Sequence, residues 1–387
     1  MKYRVYYGIY LLITFLLAFF LRDKFSVALL LTLLLLPPLS FLSLFLTKKK
    51  FTCRQDISES GAVKGQTVRY ELHLKNGGRF FLPHIIIKYH EPTLFSYSNP
   101  PAPSLFLSPK EKKWFSLSVE CKFRGRCDIG VKKIELWDFL RLFKLSITPG
   151  EALYLTIHPK LHPVGALSSA TAVSTIETRA FFKGDDDYTT ISDFRNYTDS
   201  DSIKKVHWKL SAKKEELIVK EFASHVSSGT AVALDLSPLS DYGERTTEIE
   251  DSMVGLAVSI IRQLAEKSEN ADFYYNTGCP ETLHVGNMGD FSRLYSLSAL
   301  LTFTSEVDFK LLLEAFMHSG AQPVKLFILT AGLDPDFCDR VAMLSAIGCG
   351  VTVVDFSGLR LSGSARTSLY GRLRTAGVRV SEPESYN

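Results

Sequence analysis

The residues of this chain best suited to chemistry stand where two apolar segments end. Asp235-Leu236-Ser237 lies at the end of Gly229–Leu236, and Thr330-Ala331-Gly332 closes Val324–Thr330. Carboxylate and hydroxyl oxygens are ligands that Mg²⁺ accepts, and they are also the groups that cap helices and brace loops by hydrogen bonding. Both roles stay open at this point, because they depend on the elements that carry these residues.

The signatures of several familiar enzyme classes do not occur in the sequence. There is no G-x-x-x-x-G-K-[ST], no H-E-x-x-H and no G-x-S-x-G, which argues against a P-loop ATPase, a zincin protease and an α/β-hydrolase. The six cysteines form no C-x-x-C pair, and they are too few for a disulfide framework in a chain of 387 residues. We therefore expect no zinc site and no catalytic constellation of these kinds.

Composition narrows the class of protein further. The chain has 45 Lys+Arg against 41 Asp+Glu, a formal charge of +4, which argues against a strongly basic nucleic-acid binder. A hydrophobic content of 46% excludes global disorder, and the length favours two or three domains. We expect no nucleic-acid partner.

The first fifty residues predict a transmembrane helical hairpin. Val5–Leu21 and Phe25–Leu46 are uncharged, and only Arg22 to Lys24 separate them. Each run is long enough to cross about 30 Å of hydrocarbon. A signal peptide would explain the first run but not the second. Pro37 and Pro38 predict a kink, which a membrane helix tolerates when neighbours satisfy the freed carbonyls.

The basic residues near the hairpin predict its orientation. They are more numerous outside the two apolar runs than between them, at Lys2, Arg4, Lys48–Lys50 and Arg54 against Arg22 and Lys24. The positive-inside rule therefore predicts a multi-pass protein of the cell membrane, with two helices, a lipid-bilayer partner and soluble domains in the cytoplasm.

The rest of the chain divides by its periodicity. Residues 51–163 alternate with a period of two, as in Thr67–Asn76 and Trp114–Cys121, and predict a small β-sandwich or barrel. Residues 164–228 form a linker followed by a distinctive segment. Residues 229–387 alternate strand and helix patterns, which predicts a doubly wound, mainly parallel α/β sheet with ligands at the carboxyl ends of its strands.

Four strands and four helices are expected in residues 229–387. The strands are expected at Gly229–Leu236, Ala271–Asn276, Val324–Thr330 and Val351–Phe356. The helices are expected at Glu244–Lys267, Phe291–Leu301, Asp308–Ser319 and Pro335–Ile347.

The segment Phe194–Phe222 carries a specific pattern, FRNYTDSDSIKKVHWKLSAKKEELIVKEF. It resembles the signature of a bacterial domain of unknown function, family 58, although Ser200 stands where that family has Gly. A second segment upstream is also similar to that family, namely Arg124-Gly125-Arg126 with Asp138-Phe139 and Leu142-Phe143. The resemblance implies a binding role for signature residues Arg195, Tyr197, Asp201, Lys204, His207, Trp208, Lys209, Lys220 and Glu221. For His207-Trp208, packing into a sheet is the open alternative.

The same resemblance implies a von Willebrand factor type A-like domain at the C-terminus. Such a domain binds Mg²⁺ through Asp-x-Ser-x-Ser, a Thr and a later Asp. Asp235 and Ser237 match, but Leu239 and Ala331 stand where oxygen ligands are expected, and Asp334 lies three residues beyond Ala331. The site is therefore degenerate, and Asp235 and Ser237 could equally brace the loop. We expect no cofactor, with Mg²⁺ as the alternative.

The resemblance also implies a partner, an AAA+ ATPase of the MoxR type. The resulting expectation is a non-enzymatic, membrane-anchored adaptor that works with this ATPase in envelope or stress-related assembly. The alternative is a metal-dependent binder or enzyme that uses Asp235, Ser237 and Asp334.

Overall fold

A computed structural model describes residues 2–21, 23–98, 104–150, 152–162, 191–196, 207, 211, 216–222, 229–239, 243, 245–305, 308–318, 325–359 and 363–383. The chain forms two compact units, Met1–Lys160 and Leu161–Asn387.

The first unit begins with the expected helical hairpin. Helix α1 spans Lys2–Leu21 and α2 spans Lys24–Lys48, and both are long and apolar enough to cross a membrane. Most of their side chains are exposed, as a lipid-facing hairpin requires. Pro37 and Pro38 lie inside α2, which continues through them as one helix.

Eleven strands follow the hairpin in the described part of this unit. They are β1 (Phe51–Ile57), β2 (Gly61–Val63), β3 (Thr67–Asn76), β4 (Leu82–Tyr89), β5 (Phe95–Ser98), β6 (Leu105–Leu107), β7 (Lys112–Cys121), β8 (Gly125–Ile129), β9 (Val131–Trp137), β10 (Lys144–Ile147) and β11 (Leu153–His158). The sheets have the orders β1-β3-β7-β5, β10-β9-β4-β6 and β2-β11-β8. We call this part the β unit.

The alternation of β3 shows how the sequence builds the core of the β unit. Its residues from Val68 to Asn76 alternate between buried and more exposed positions, because successive side chains of a strand point to opposite faces. Leu72 and Leu74 share a buried cluster with Ile134 and Leu136 of β9, in another sheet. One apolar core therefore serves more than one sheet.

The second unit contains a two-stranded ribbon and a six-stranded sheet. The ribbon pairs β12 (Ile191–Asn196) with β13 (Ile218–Phe222). The sheet strands are β14 (Thr230–Leu234), β15 (Ala271–Asn276), β16 (Pro280–Val285), β17 (Lys325–Thr330), β18 (Gly350–Asp355) and β19 (Arg379–Ser381). The helices are α3 (Thr246–Glu266), α4 (Met288–Ser298), α5 (Phe309–His318), α6 (Pro335–Ala346) and α7 (Gly363–Thr375).

Helices cover both faces of the six-stranded sheet. Its order is β16-β15-β14-β17-β18-β19, and all neighbours are parallel except β15 and β16. In β14, Val232 and Leu234 belong to one buried cluster with α3 and α4, whereas Ala231 and Ala233 belong to the cluster with α5, α6 and α7. This mixed α/β sheet agrees with the strand-helix alternation of the sequence.

The elements depart from the sequence predictions at several places, and helix α7 and strand β19 were not among the expected elements. Helix α4 begins at Met288 instead of Phe291, because Asn287 caps it by accepting hydrogen bonds from the Gly289 and Asp290 amides. Strand β16 was not predicted, since PETLHV has no buried apolar run. It forms by antiparallel pairing with β15 at the edge of the sheet.

Gly125 provides a stability test of the β unit. Its φ is +142°, and an added Cβ would lie 2.5 Å from Leu94 Cδ1. We expect Gly125→Ala to lower the unfolding free energy of the β unit by about 1–3 kcal/mol through backbone strain. Tryptophan-monitored denaturation of the full chain in detergent measures this. Gly150→Ala is the matched control, because nothing lies within 4 Å of its added Cβ; equal losses in the two variants would contradict the expectation.

Candidate functional site at the carboxyl edge of the sheet

The order of the six strands creates a crevice between β14 and β17. From β14 the chain continues outward to β15 and β16, whereas β17, β18 and β19 continue on the other side. Open α/β sheets bind ligands at such a switch point, outside the carboxyl ends of the strands. Asp235 follows β14 directly, and Thr330 is the last residue of β17.

A hydrogen bond connects these two residues across the switch point. Thr330 Oγ1 donates to Asp235 Oδ2 at 2.7 Å, while Asp235 Oδ1 accepts from Ser237 Oγ at 2.6 Å and from Ser237 N at 3.0 Å. The Asp235 residue is only 8% exposed. Both carboxylate oxygens are therefore bonded by groups of the same chain.

Burial raises the pKa of Asp235, because a low-polarity surrounding disfavours the charged carboxylate. The hydrogen bonds from Ser237 and Thr330 act in the opposite direction, and the negative charge of Asp308 adds to the rise. Desolvation is the largest of these effects, so the protonated form is favoured more than in water.

Further polar residues complete this edge of the sheet. Asn276, at the end of β15, accepts a hydrogen bond from Leu236 N at 3.1 Å, and Ser305 N donates to Leu236 O at 3.3 Å. The exposed hydroxyls of Thr302 and Thr304 are 3.1 Å apart in the same segment as Ser305. We call this set the switch-point rim; it comprises Asp235, Ser237, Asn276, Thr302, Thr304, Ser305, Asp308 and Thr330.

A cavity of about 420 Å³ lies at the carboxyl end of β18 in the same unit. Asp355 Oδ2 accepts from Arg366 Nε at 3.0 Å and from the Tyr370 hydroxyl at 2.8 Å. Arg366 also contacts Glu382 at 3.1 Å. The lining therefore includes paired charges beside apolar residues such as Ile249 and Phe356.

The residues predicted to bind a metal are only partly brought together. Asp235 and Ser237 are in contact, but Asp334 caps α6 by accepting from Phe337 N at 2.7 Å, and its second oxygen contacts Lys310 at 3.0 Å. Leu239 and Ala331 contribute no side-chain oxygen. In the described ranges no group of three or more His, Cys, Asp or Glu could hold a metal ion. These residues do not fit the donor set of a type A site.

The two ends of the signature segment pair with each other as antiparallel strands. In the β12–β13 ribbon, Arg195 is the register partner of Val219, Phe194 of Lys220 and Asp193 of Glu221. Ser211 Oγ accepts from Ile218 N at 2.9 Å, and His207 N donates to Ile218 O at 2.8 Å. Residues as much as 31 positions apart therefore come together along this ribbon.

Several signature residues lie outside the part of the chain that the structure describes, namely Tyr197, Asp201, Lys204, Trp208 and Lys209. Around them, Ser211 and Ile218 are buried and His207 is partly buried. Leu217, immediately before β13, is 49% exposed. An apolar side chain is thus presented to solvent beside the ribbon.

Sequence reasoning missed Asn276, Asp308 and Asp355. Asn276 and Asp355 are the last residues of apolar strands, ADFYYN and GVTVVD. A polar residue that ends an apolar run is the signal that would have found them, because such residues lie at the ligand-binding edge of a parallel sheet. Asp308 has no comparable signal.

Comparison with known proteins finds one family. The sequence model of the family described as "Protein of unknown function DUF58" matches residues 193–353. No curated protein matches the chain.

Among solved structures the likenesses are weak. An alpha-2-macroglobulin from Salmonella, reacted with methylamine, is 11% identical over 28% of this chain and 7% of its own length, with a TM-score of 0.22. A CARDB domain from Pyrococcus furiosus in complex with di-metal ions is 12% identical over 28% of this chain and 91% of its own length, with a TM-score of 0.18. A GH20 exo beta-N-acetylglucosaminidase from Vibrio harveyi is 8% identical over 86% of this chain and 75% of its own length, and its TM-score is also 0.18. None of these supports an argument about function.

The bond across the switch point predicts a stability effect. Thr330→Val removes the donor to Asp235 Oδ2 and the acceptor of Gly332 N, and leaves buried groups unsatisfied. We expect the free energy of unfolding to fall by about 1–3 kcal/mol. Hydrogen exchange of the β14 and β17 amides in the full chain measures it. Thr302→Val, at an exposed hydroxyl, is the matched control; unchanged protection in Thr330→Val would contradict this role.

The raised pKa of Asp235 predicts the sign of a pH effect. The contribution of Asp235 to stability is complete below its ordinary pKa of 3.8, and it is lost as the pH rises through the raised pKa of the folded state. As the pH rises above 3.8, the stability of Asp235→Asn should therefore increase relative to that of the natural protein, measured by thermal unfolding.

Asp336 supplies a control of opposite sign. Its contacts with Lys310 lower its pKa, so its contribution is present above 3.8 and is lost as pH falls through the lowered value. Asp336→Asn should therefore be less stable than the natural protein above pH 3.8, and this difference in stability should shrink as the pH falls. Parallel pH profiles of Asp235→Asn and Asp336→Asn would refute the assignment.

Proposed function

We propose that the protein, whose residues 193–353 match the model of the family of unknown function DUF58, is a membrane-anchored adaptor that acts by binding another protein. The partner is an AAA+ ATPase of the MoxR type, and the joint role is in envelope or stress-related assembly. The protein itself catalyses no reaction in this proposal and needs no cofactor.

The anchor in this proposal is the α1–α2 hairpin. Two helices of sufficient length and hydropathy support it. The excess of Lys and Arg at Lys2, Arg4 and Lys48–Lys50 supports a cytoplasmic location for both soluble parts. A cytoplasmic ATPase would then reach the signature segment directly.

The C-terminal unit is a von Willebrand factor type A-like domain in this proposal. Its support is a mainly parallel sheet covered by helices on both faces, with an Asp-x-Ser turn directly after the strand at the switch point. The antiparallel edge strand β16 is the one exception to the parallel order.

The state of Asp235 is the observation that carries the adaptor proposal over a metal-dependent one. The hydroxyls of Ser237 and Thr330 already bind both of its oxygens, and the chain supplies Leu239 and Ala331 where further ligands are expected. An acid held in this way fixes the loops of the rim to the sheet. It supports recognition by a preformed surface rather than bond-making.

The signature ribbon is the contact surface that we assign to the ATPase. Exposed Leu217 stands next to buried Ile218, at the point where β13 pairs with β12. Apolar side chains at the centre of an interface contribute much of its binding energy, whereas the surrounding charges add specificity. Arg195 and Lys220 lie on the two paired strands and are the candidates for those charges.

A crosslinked pull-down with and without ATP tests this proposal. The detergent-solubilised full chain should enrich an AAA+ ATPase from an extract of its own cells, read by mass spectrometry. Leu217→Asp should lower that recovery about tenfold, the usual scale for loss of one strong interface contact.

Ile347→Asp is the matched control for the pull-down. Ile347 is 45% exposed and follows α6, just before β18, so it lies at the opposite edge of the sheet from the switch-point rim. Equal losses in both variants would point to unfolding instead of a binding surface. With good recovery of the bait, the absence of any ATPase would refute the proposed partner.

A further inference from the structure

One end of the β unit collects loops that are far apart in the sequence. The end of β3 pairs with the starts of β1 and β7, at Phe51↔Asn76 and Lys75↔Lys112. The start of β4 pairs with the end of β6, and the start of β10 with the end of β9. We call these segments the hairpin-proximal end; it comprises residues 48–51, 76–82, 106–113 and 137–144.

This end is fastened to α1 and α2 by side-chain contacts. Arg4 Nε donates to Leu142 O at 2.8 Å, and Ser40 Oγ donates to Asp138 Oδ2 at 2.7 Å. The rings of Phe41 and Phe143 make an edge contact at 5.3 Å. The turn after β9 is therefore held against the hairpin at the level of Arg4.

The level of Arg4 is the level of the membrane boundary. Arg4 is the last charged residue before the uncharged run Val5–Leu21, which is long enough to cross the hydrocarbon at a rise of 1.5 Å per residue. A charged side chain at the end of such a run lies among the lipid headgroups. The turn that contacts Arg4 must lie there too.

Exposed phenyl rings cluster at this same end. Phe139, in the turn itself, is 77% exposed, and Phe80, Phe81 and Phe106 are each about half exposed. The rings of Phe81 and Phe106 are 6.0 Å apart. Single exposed apolar residues are ordinary, but a group of large rings beside a membrane boundary marks an interaction surface.

The charge of this end is strongly positive. Its exposed cations include Lys49, Lys50, Arg79, Lys110 and Lys112. Its two acids are both engaged, since Glu111 contacts Lys113 and Asp138 is buried and bonded to Ser40. An anionic lipid surface attracts such a cluster.

We propose that the hairpin-proximal end of the β unit docks on an anionic bilayer surface, with the rings of Phe81 and Phe139 inserted among the headgroups and the Lys and Arg side chains on lipid phosphates. This inference rests on the proposed membrane anchoring. It adds a second attachment that fixes how the β unit stands on the membrane, in whichever leaflet it faces.

Tryptophan quenching by brominated lipids tests the docking in the full chain. The chain is reconstituted into vesicles of phosphatidylcholine and phosphatidylglycerol with brominated acyl chains, and each variant is compared with the natural chain. Phe139→Trp and Phe81→Trp should each add emission that the brominated lipid quenches at least about twofold, because aromatic residues at the interface contact the acyl-chain boundary. Vesicles without phosphatidylglycerol should quench less.

Two further variants make the result decisive. Phe123→Trp lies beyond the opposite end of β7, about 30 Å away along that ten-residue strand, and should add unquenched emission. Leu35→Trp, inside α2, reports insertion of the hairpin itself. Quenching of Leu35→Trp alone would overturn the docking while leaving the anchor intact, and absence of quenching in every variant would overturn both. Quenching of Phe139→Trp and Phe81→Trp that ignores lipid charge would overturn the role of the cations.

Discussion

A carboxylate removed from water must have its oxygens bonded, and each unit of this protein depends on one such group. In the C-terminal unit, Asp235 joins the ends of β14 and β17 through Ser237 and Thr330. In the N-terminal unit, Asp138 accepts from Ser40 and from the Phe143 amide, so it closes the turn after β9 and binds it to α2. An unsatisfied buried carboxylate costs more than a neutral group, so these bonds determine where the surrounding loops lie.

The bonding of Asp235 also decides which functions the switch point can serve. Crevices at such switch points bind ligands because polar groups at the strand ends are available. Here the buried carboxyl group of Asp235 is hydrogen-bonded within the chain, while Thr302 and Thr304 stay exposed along the rim. This edge is therefore polar, and its loops are held by hydrogen bonds within the chain. The two-stranded signature ribbon in the same unit adds an exposed apolar side chain at Leu217.

In the N-terminal unit, the same principle connects the membrane helices to the β unit. One face of α2 carries Ser40, Leu44 and Thr47, of which Leu44 and Thr47 are buried. Their spacing of three to four residues places them on one side of the helix, and the remaining sides stay free for lipid. Gly77 N adds a backbone bond to Lys50 O at 2.9 Å. The hairpin and the β unit therefore belong to one compact unit, in which Phe139 has a defined position relative to the two helices.

The elements with strong local patterns could be predicted from the amino-acid sequence: the two apolar helices, the alternating strand β3 and the strand-helix alternation that ends in a mixed sheet. Asp235 and Ser237 were also located at a strand end, and the signature segment resembles the family whose sequence model matches residues 193–353. Other features became visible only in the folded chain: Thr330 bonds Asp235, Asp334 caps a helix, PETLHV becomes an edge strand and Asp138 accepts a hydrogen bond from Ser40. Periodicity reports which face of an element is apolar, whereas these contacts join residues as much as 98 positions apart, and no local pattern encodes the pairing of distant partners.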